Sequence, residues 1–151
     1  MRYVIGIDPD VNKCGFAVWT GRGFIDVKPL PVPQLIEAVL SIRDSLEAED
    51  SLIVHLEAGY LNKKSNYHDA FRQRCGARVA EKVAGDVGRN HGVGIVLRQF
   101  MEHYGIDHRL VKPSKTLGDS KAKAKLVLKA GGFRVDDESC SAAVLAMLVI
   151  H

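Results

Sequence analysis

Two short apolar runs that each end in an acidic residue constrain this chain more than any other feature. Residues 3–7 read YVIGI and meet Asp8, and residues 52–56 read LIVHL and meet Glu57. Short runs rich in β-branched residues are typical of buried strands. In open α/β sheets, ligands bind beyond the carboxyl ends of the strands. The two runs therefore predict a sheet that presents two carboxylates at one edge.

The remaining patterns place further strands and helices around these two runs. Residues 14–19 and 24–30 predict two more strands, which form an antiparallel meander with the first run, and residues 108–111 predict a fifth strand. Helices are expected over 33–46, over 79–104 with a kink or break at its glycines, over 121–130 and over 139–150. This order predicts a single α/β domain over 1–151, with a five-stranded mixed sheet (a three-strand antiparallel meander plus parallel strands) flanked by helices.

Composition and cysteine usage limit the class of protein. Hydrophobic residues make up 46% of the chain and charged residues 26%, which is typical of soluble domains. No apolar run approaches the ~18 residues that a membrane helix needs. Cys14, Cys75 and Cys140 are odd in number and widely spaced, so we expect neither a disulfide framework nor a thiolate zinc site. These features predict a cytoplasmic protein without a membrane partner.

Charge is unevenly distributed along the chain. Residues 108–134 hold eight basic residues against the single Asp119, and the acidic residues Asp136, Asp137 and Glu138 follow at once. A basic segment of this kind is typical of phosphate contact. A lysine-rich helix whose charged face points into solvent has the same composition, so both interpretations stay open.

Carboxylates without paired histidines or cysteines indicate a hard metal ion. Oxygen-only ligands favour Mg²⁺ or Mn²⁺ over zinc. Two such ions about 3.5–4 Å apart activate a water molecule and stabilise the leaving oxygen of a phosphodiester. Each acidic residue also has a simpler explanation, since a carboxylate at a strand end often forms a turn and one at a helix start often caps the helix.

Four segments in the same order carry a resemblance to a known family. GIDPDVNKCGFAVW (6–19) resembles the opening of RuvC-type Holliday-junction resolvases, and LEAGYLNKK (56–64) resembles their second acidic strand. VGRNHGVG (87–94) is similar to the glycine-rich helix beside their active site, and ESCSAAVLAM (138–147) to their terminal helix. The resemblance implies an RNase H-like fold and a homodimeric, metal-dependent endonuclease that cuts branched DNA.

The resemblance also implies which residues hold metal. Asp8 matches the first ligand, Glu57 the second and Glu138 the third, with Mg²⁺ or Mn²⁺ as two ions. Ser141 stands where the family has its fourth ligand, an aspartate.

A register shifted by one residue changes the last two matches. It puts Asp137 and Cys140 in place of Glu138 and Ser141, so Asp137 and Glu138 are both candidate ligands. The fourth carboxylate is absent in either register, which favours as an alternative a DNA-binding relative with weakened catalysis. A nuclease of the same fold that acts on other nucleic-acid structures is a second alternative.

Basic residues near these positions are expected to contact DNA. Lys112 and Lys121 match family positions close to the scissile phosphate. The full set of expected DNA contacts is Lys63, Lys64, Arg89, Lys112, Lys115 and Lys121. Asp10 replaces the glycine of the family's opening motif, and we interpret it as a turn residue. His91 is a further candidate for substrate contact.

Overall fold

The computed structural model describes residues 1–62 and 76–148. The strands are β1 (Arg2–Asp8), β2 (Cys14–Trp19), β3 (Phe24–Leu30), β4 (Ser51–Glu57) and β5 (His108–Val111). The helices are α1 (Val32–Asp44), α2 (Ala77–His103), α3 (Lys115–Ala130) and α4 (Asp137–Ala146), with a 3₁₀ turn at Gly59–Leu61. Among these described helices, none has the length and apolar character that crossing a membrane requires.

The five strands form one mixed sheet in the order β3-β2-β1-β4-β5. The pairs β1–β2 and β2–β3 are antiparallel, whereas β4 runs parallel to both β1 and β5. The predicted fold class, a meander extended by parallel strands and flanked by helices, is confirmed.

The two faces of the sheet carry separate cores because side chains alternate along each strand. On one face, Phe16 packs with Leu35 of α1 and Leu97 of α2. On the other face, Ala17 packs with Leu128 of α3 and Ala143 of α4. The carboxyl edge of the sheet therefore lies between α2 on one side and the α3–α4 pair on the other.

Helix α4 packs unusually close to the sheet. All its residues from Ser139 to Ala146 are buried, as the apolar pattern predicted. Gly6 on β1 and Gly15 on β2 permit this approach, since a Cβ at Gly6 would lie 2.6 Å from the backbone nitrogen of Ala146. The Nδ1–H of buried His55 on β4 also donates to the Leu145 carbonyl at 2.8 Å. These contacts fix the position of α4 relative to the strand ends.

Three helix expectations were wrong in detail. The chain does not break at the glycines of α2, which continues from Ala77 to His103, because a helical glycine costs only about 1 kcal/mol relative to alanine and packing elsewhere offsets it. Helix α3 begins at Lys115 rather than at 121, since the Ser114 hydroxyl caps it by accepting from the Leu117 N–H at 3.3 Å. Helix α4 begins at Asp137, two residues earlier than expected, and ends at Ala146, four residues earlier than expected.

Candidate functional site

Asp8 and Glu57 are neighbours at the carboxyl edge of the sheet. In the parallel β1–β4 pair Ile7 lies opposite Leu56, and each strand ends at the next residue, which is an acid. Both side chains line a cleft of about 220 Å³ between the strand ends and the α3–α4 pair. The other lining residues are Pro113, Ser114, Leu117, Lys121, Ser141, Val144 and Leu145.

The environment of the two acids disfavours their charged forms. Burial raises the pKa of Asp8 to about 6, with smaller contributions in the same direction from the charges of Asp10 and Glu138. Burial also raises the pKa of Glu57 to about 7, and the adjacent Asp8 charge adds to it. Lys121 opposes both shifts without cancelling them. The cleft therefore disfavours two negative charges, and a bound divalent cation would stabilise them.

Ser141 brings α4 into contact with Asp8. Its hydroxyl donates a hydrogen bond to the Asp8 carboxylate and partly counteracts the effect of burial on the Asp8 pKa. The Ser141 side chain is itself buried, with a relative exposure of 7%. A hydroxyl at this point orients Asp8 but adds no negative charge to the cleft.

The three acids at the start of α4 take different positions. Asp136 is the N-cap, since its Oδ1 accepts from the Ser139 N–H at 2.7 Å. Asp137 turns away from the cleft, with 83% of its side chain exposed and Lys125 of α3 at 3.9 Å. Glu138 is exposed but close enough for its charge to raise the pKa of Asp8. It lies one turn before Ser141, so these two residues share a helix face.

Asp8 and Glu57 meet as a pair. Across residues 1–62 and 76–148, no group of three or more histidine, cysteine, aspartate or glutamate side chains is arranged to hold a metal ion. Asp137 and Glu138 thus stand outside the carboxylate pair, with Glu138 at its rim. The structure brings together the first two of the expected metal ligands.

Among the described residues, one of the expected DNA contacts lines the cleft and two lie in the segment that leads into α3. Lys121 lines it, Lys112 is exposed next to the lining residue Pro113, and Lys115 is the first residue of α3. Arg89 is exposed on α2 and forms an ion pair with Asp86 at 3.3 Å. Lys63 and Lys64 lie outside the described residues.

Sequence reasoning missed an interaction between Asp10 and α2. Besides forming the expected turn, in which its Oδ1 accepts from the Asn12 N–H at 2.8 Å, Asp10 accepts through Oδ2 from the Asn90 side-chain amide at 3.1 Å. The aspartate in place of the motif's glycine was the available signal. Its partner is 80 residues away, so the sequence alone gave no means of pairing them.

Comparisons with known proteins detect the fold but no close relative. No protein-family model matches the chain, and no curated protein matches it. The structure of T. thermophilus RuvC in complex with Holliday junction substrate superposes on this chain with a TM-score of 0.53 at 15% identity, covering 97% of this chain and 90% of that one. The chain has the RuvC fold. A second Thermus thermophilus RuvC structure matches at 15% identity over 95% of this chain and 90% of that chain, with a TM-score of 0.48.

The raised pKa values of Asp8 and Glu57 predict a pH-dependent gain in stability on neutralising either acid. Between about pH 4 and pH 7, folded wild-type protein retains protons that the unfolded chain has released, so its free energy of unfolding falls as the pH rises. Asp8→Asn and Glu57→Gln each remove the part of this stability loss that comes from the replaced acid. Without divalent ions, we expect each variant to be more stable than wild type by ~1–2 kcal/mol at pH 8, after allowance for solvent screening.

Urea unfolding in EDTA at pH 4.5, 6 and 8 measures this difference. The gain should grow with pH up to about 7 and then level off. Glu37→Gln on the exposed side of α1 is the matched control, and it should give no such trend. Variants that are equally or less stable than wild type at pH 8 would contradict the electrostatic description of the cleft.

Proposed function

We propose that this protein is a divalent-metal-dependent endonuclease that hydrolyses phosphodiester bonds in branched DNA such as four-way junctions. The observation that carries the proposal is the pair Asp8 and Glu57, half-buried side by side at the carboxyl edge of the sheet in a cleft that also contains Lys121. Carboxylates in this position suit a hard cation, and the lysine suits the phosphate that such a cation would activate.

The residues present fit one directly held Mg²⁺ or Mn²⁺ ion. Mg²⁺ commonly uses one or two carboxylates and completes its shell with waters and substrate phosphate. Asp8 and Glu57 would hold the ion, and Glu138 would add negative potential from the rim. When bound, the ion supplies an activated water and stabilises charge on the phosphate. The two-ion arrangement expected from the family would need a further carboxylate or the substrate's own oxygens.

The chain's own groups would bind and orient the substrate around this ion. The Lys121 ammonium offsets phosphate charge within the cleft, and Ser141 orients Asp8 through its hydrogen bond. Pro113, Ser114 and Leu117, at the start of α3, line the same cleft. The partial positive charge of that helix end therefore adds to the charge of Lys121.

Branched DNA is proposed as the substrate because of the shared fold and the charge pattern. The T. thermophilus RuvC structure with which this chain superposes is a complex with a Holliday junction substrate. The basic segment 108–134 of this chain includes β5 and α3 and borders the cleft. We also propose that the protein acts as a homodimer, since paired cuts in a symmetric junction need two active sites. The cytoplasmic location stays a prediction.

One observation favours a second candidate function, a junction-binding protein with weakened catalysis. Among the described residues two carboxylates converge rather than three or four. A weakly held ion would leave DNA binding intact while lowering the rate of hydrolysis. This candidate differs from the first in catalysis and not in substrate.

A substrate panel separates these possibilities. Four-way junctions, three-way junctions, duplex, single strands and RNA–DNA hybrids are incubated with the protein in Mg²⁺, Mn²⁺ or EDTA. We expect metal-dependent cleavage of the four-way junction. Tight junction binding without cleavage in either metal would favour the second candidate, and preferential cleavage of the hybrid would favour a nuclease with another substrate. Absence of both binding and cleavage would overturn the proposal.

The proposal predicts that Lys121 contacts backbone phosphate. Lys121→Ala should weaken junction binding regardless of sequence and should lower the slope of log affinity against log salt by about one unit, because one counterion fewer is released. Lys112→Ala is expected to act in the same direction. Junction-binding titrations at salt concentrations between about 50 and 200 mM measure the change in this slope.

Lys129→Ala in the last turn of α3 is the matched control. It removes the same charge from an exposed position at the other end of the helix from the cleft. If Lys121→Ala and Lys129→Ala alter affinity and slope equally, Lys121 acts through the general charge of the helix and not through a contact in the cleft.

A further inference from the structure

The middle of α2 is hydrogen-bonded to the loop that follows Asp8. The Asn90 Oδ1 accepts from the Val11 N–H at 2.9 Å, and the Asn90 Nδ2 donates to the Asp10 Oδ2 at 3.1 Å. Both ends of the Asn90 amide are therefore used, and its orientation is determined by its partners. This side chain joins α2 to a loop about eighty residues earlier in the chain.

Asp10 makes that loop a compact unit. Its Oδ1 accepts from the N–H groups of Asn12 and Lys13 at 2.8 and 3.4 Å. The buried Cys14 thiol donates a hydrogen bond to the Asp10 backbone carbonyl at 3.3 Å. Pro9, with its restricted φ angle, is the one residue between this unit and Asp8. Few free backbone dihedral angles therefore separate Asp10 from Asp8, so the position of Asp10 restricts the position of Asp8.

The same turn of α2 also reaches the loop that follows Glu57. A Cβ at Gly59, two residues after Glu57, would lie 2.9 Å from the His91 Nε2. Gly94, one turn after Asn90, leaves room for both Tyr60 and Pro9, which would lie 3.5 and 3.6 Å from a Cβ there. One turn of α2 thus contacts the loops behind both carboxylates, on the side of the sheet opposite to α4.

We propose that Asn90 is a positioning residue that, through Asp10, sets the placement of Asp8 relative to Glu57 and hence the geometry of the ion site. The inference rests on the proposed function insofar as that site binds a divalent cation. The hydrogen bonds of Asn90 are exposed or part-buried, so their contribution to global stability is small. Residues hydrogen-bonded to a metal ligand alter metal affinity about 10- to 100-fold, and Asn90 acts one residue further back, through Asp10, so we expect an effect at the lower end of this range.

Exchanging the two side chains provides a sharp test. In Asn90→Asp, two carboxylates face each other, and in Asp10→Asn, two amide donors face each other, so each single variant breaks the contact. In the double variant, Asn at position 10 donates to Asp at position 90. Its oxygen still accepts from the loop N–H groups, and Asp at position 90 still accepts from Val11. Every hydrogen bond of the wild type is then restored with the donor and the charge exchanged.

The measurements are Mn²⁺ affinity by calorimetry and kcat and KM for junction cleavage. We expect each single variant to bind Mn²⁺ at least about 10-fold more weakly and to lose kcat by a similar factor with little change in KM, and the double variant to recover most of both. Gln99→Glu, which like Asn90→Asp adds one negative charge to α2 but at an exposed position, should behave as wild type. Single variants that match wild type, or a double variant as impaired as the singles, would overturn the proposal.

Amide hydrogen exchange in EDTA distinguishes this inference from the proposed function. Protection of the Val11 and Asn12 amides should fall in both single variants and return in the double variant, whether or not the protein binds metal or cuts DNA. If wild type binds no Mn²⁺ and cuts no substrate but exchange follows this pattern, the proposed function fails while Asn90 still positions the loop. If exchange at these amides is the same in all four proteins, Asn90 does not position the loop.

Discussion

Asp8→Asn is expected to abolish metal-dependent cleavage while leaving the fold and DNA binding largely intact. The carboxylate of Asp8 shares its cleft with that of Glu57, and the described residues offer no third carboxylate to replace it. An amide is a neutral and weaker ligand for Mg²⁺. Because the ion supplies both the nucleophile and charge stabilisation, we expect the cleavage rate to fall by about three or more orders of magnitude. Glu57→Gln should have the same effect.

Single-turnover cleavage of a labelled four-way junction in Mg²⁺ measures this loss. Binding in EDTA is measured in parallel and should be unchanged or tighter, since the variant removes negative charge near the DNA. Asp26→Asn on β3, where the aspartate is paired with Lys28 at 2.6 Å, is the control for replacing a strand aspartate. A cleavage rate for Asp8→Asn above a tenth of wild type would remove Asp8 from the site.

Strand positions were predictable from this sequence because short β-branched runs carry a strong local signal. The runs that end at Asp8 and Glu57 predicted both strands, and the parallel pairing expected of an α/β order then placed the two acids together. This part of the site depends on one register and on two strand ends. It is therefore the part that local pattern and general sheet geometry suffice to predict.

Helix ends and helix rotation were less predictable because they depend on packing. Four glycines favoured a break in α2, yet the helix continues over 27 residues because Gly94 packs against Tyr60 and Pro9 and later residues enter the core. The sequence favoured Glu138 as the third ligand and left Asp137 as the candidate in a register shifted by one residue. The rotation of α4 about its axis directs Asp137 towards Lys125 and Glu138 towards the cleft rim.

The second large effect is expected at Gly6, where sheet and helix backbones meet. A Cβ at this position would lie 2.6 Å from the Ala146 nitrogen and would also overlap the Ala142 carbonyl oxygen. Both opposing atoms belong to the backbone of α4, which is buried from Ser139 to Ala146, so no flexible side chain can move aside. Gly6→Ala must therefore displace α4, and with it Ser141 and the rest of its contribution to the cleft.

Gly6→Ala should lower the free energy of unfolding by at least about 3 kcal/mol, the upper range for overpacking, and should weaken Mn²⁺ binding as Ser141 leaves Asp8. Urea unfolding at neutral pH measures the first effect and calorimetry the second. Gly23→Ala is the control, because a Cβ there meets nothing within 4 Å. A Gly6→Ala protein within about 1 kcal/mol of wild type would mean that α4 does not lie directly on β1. Since Ser141 reaches Asp8 only if α4 lies this close to the strand, that result would also remove the basis for Ser141 orienting Asp8.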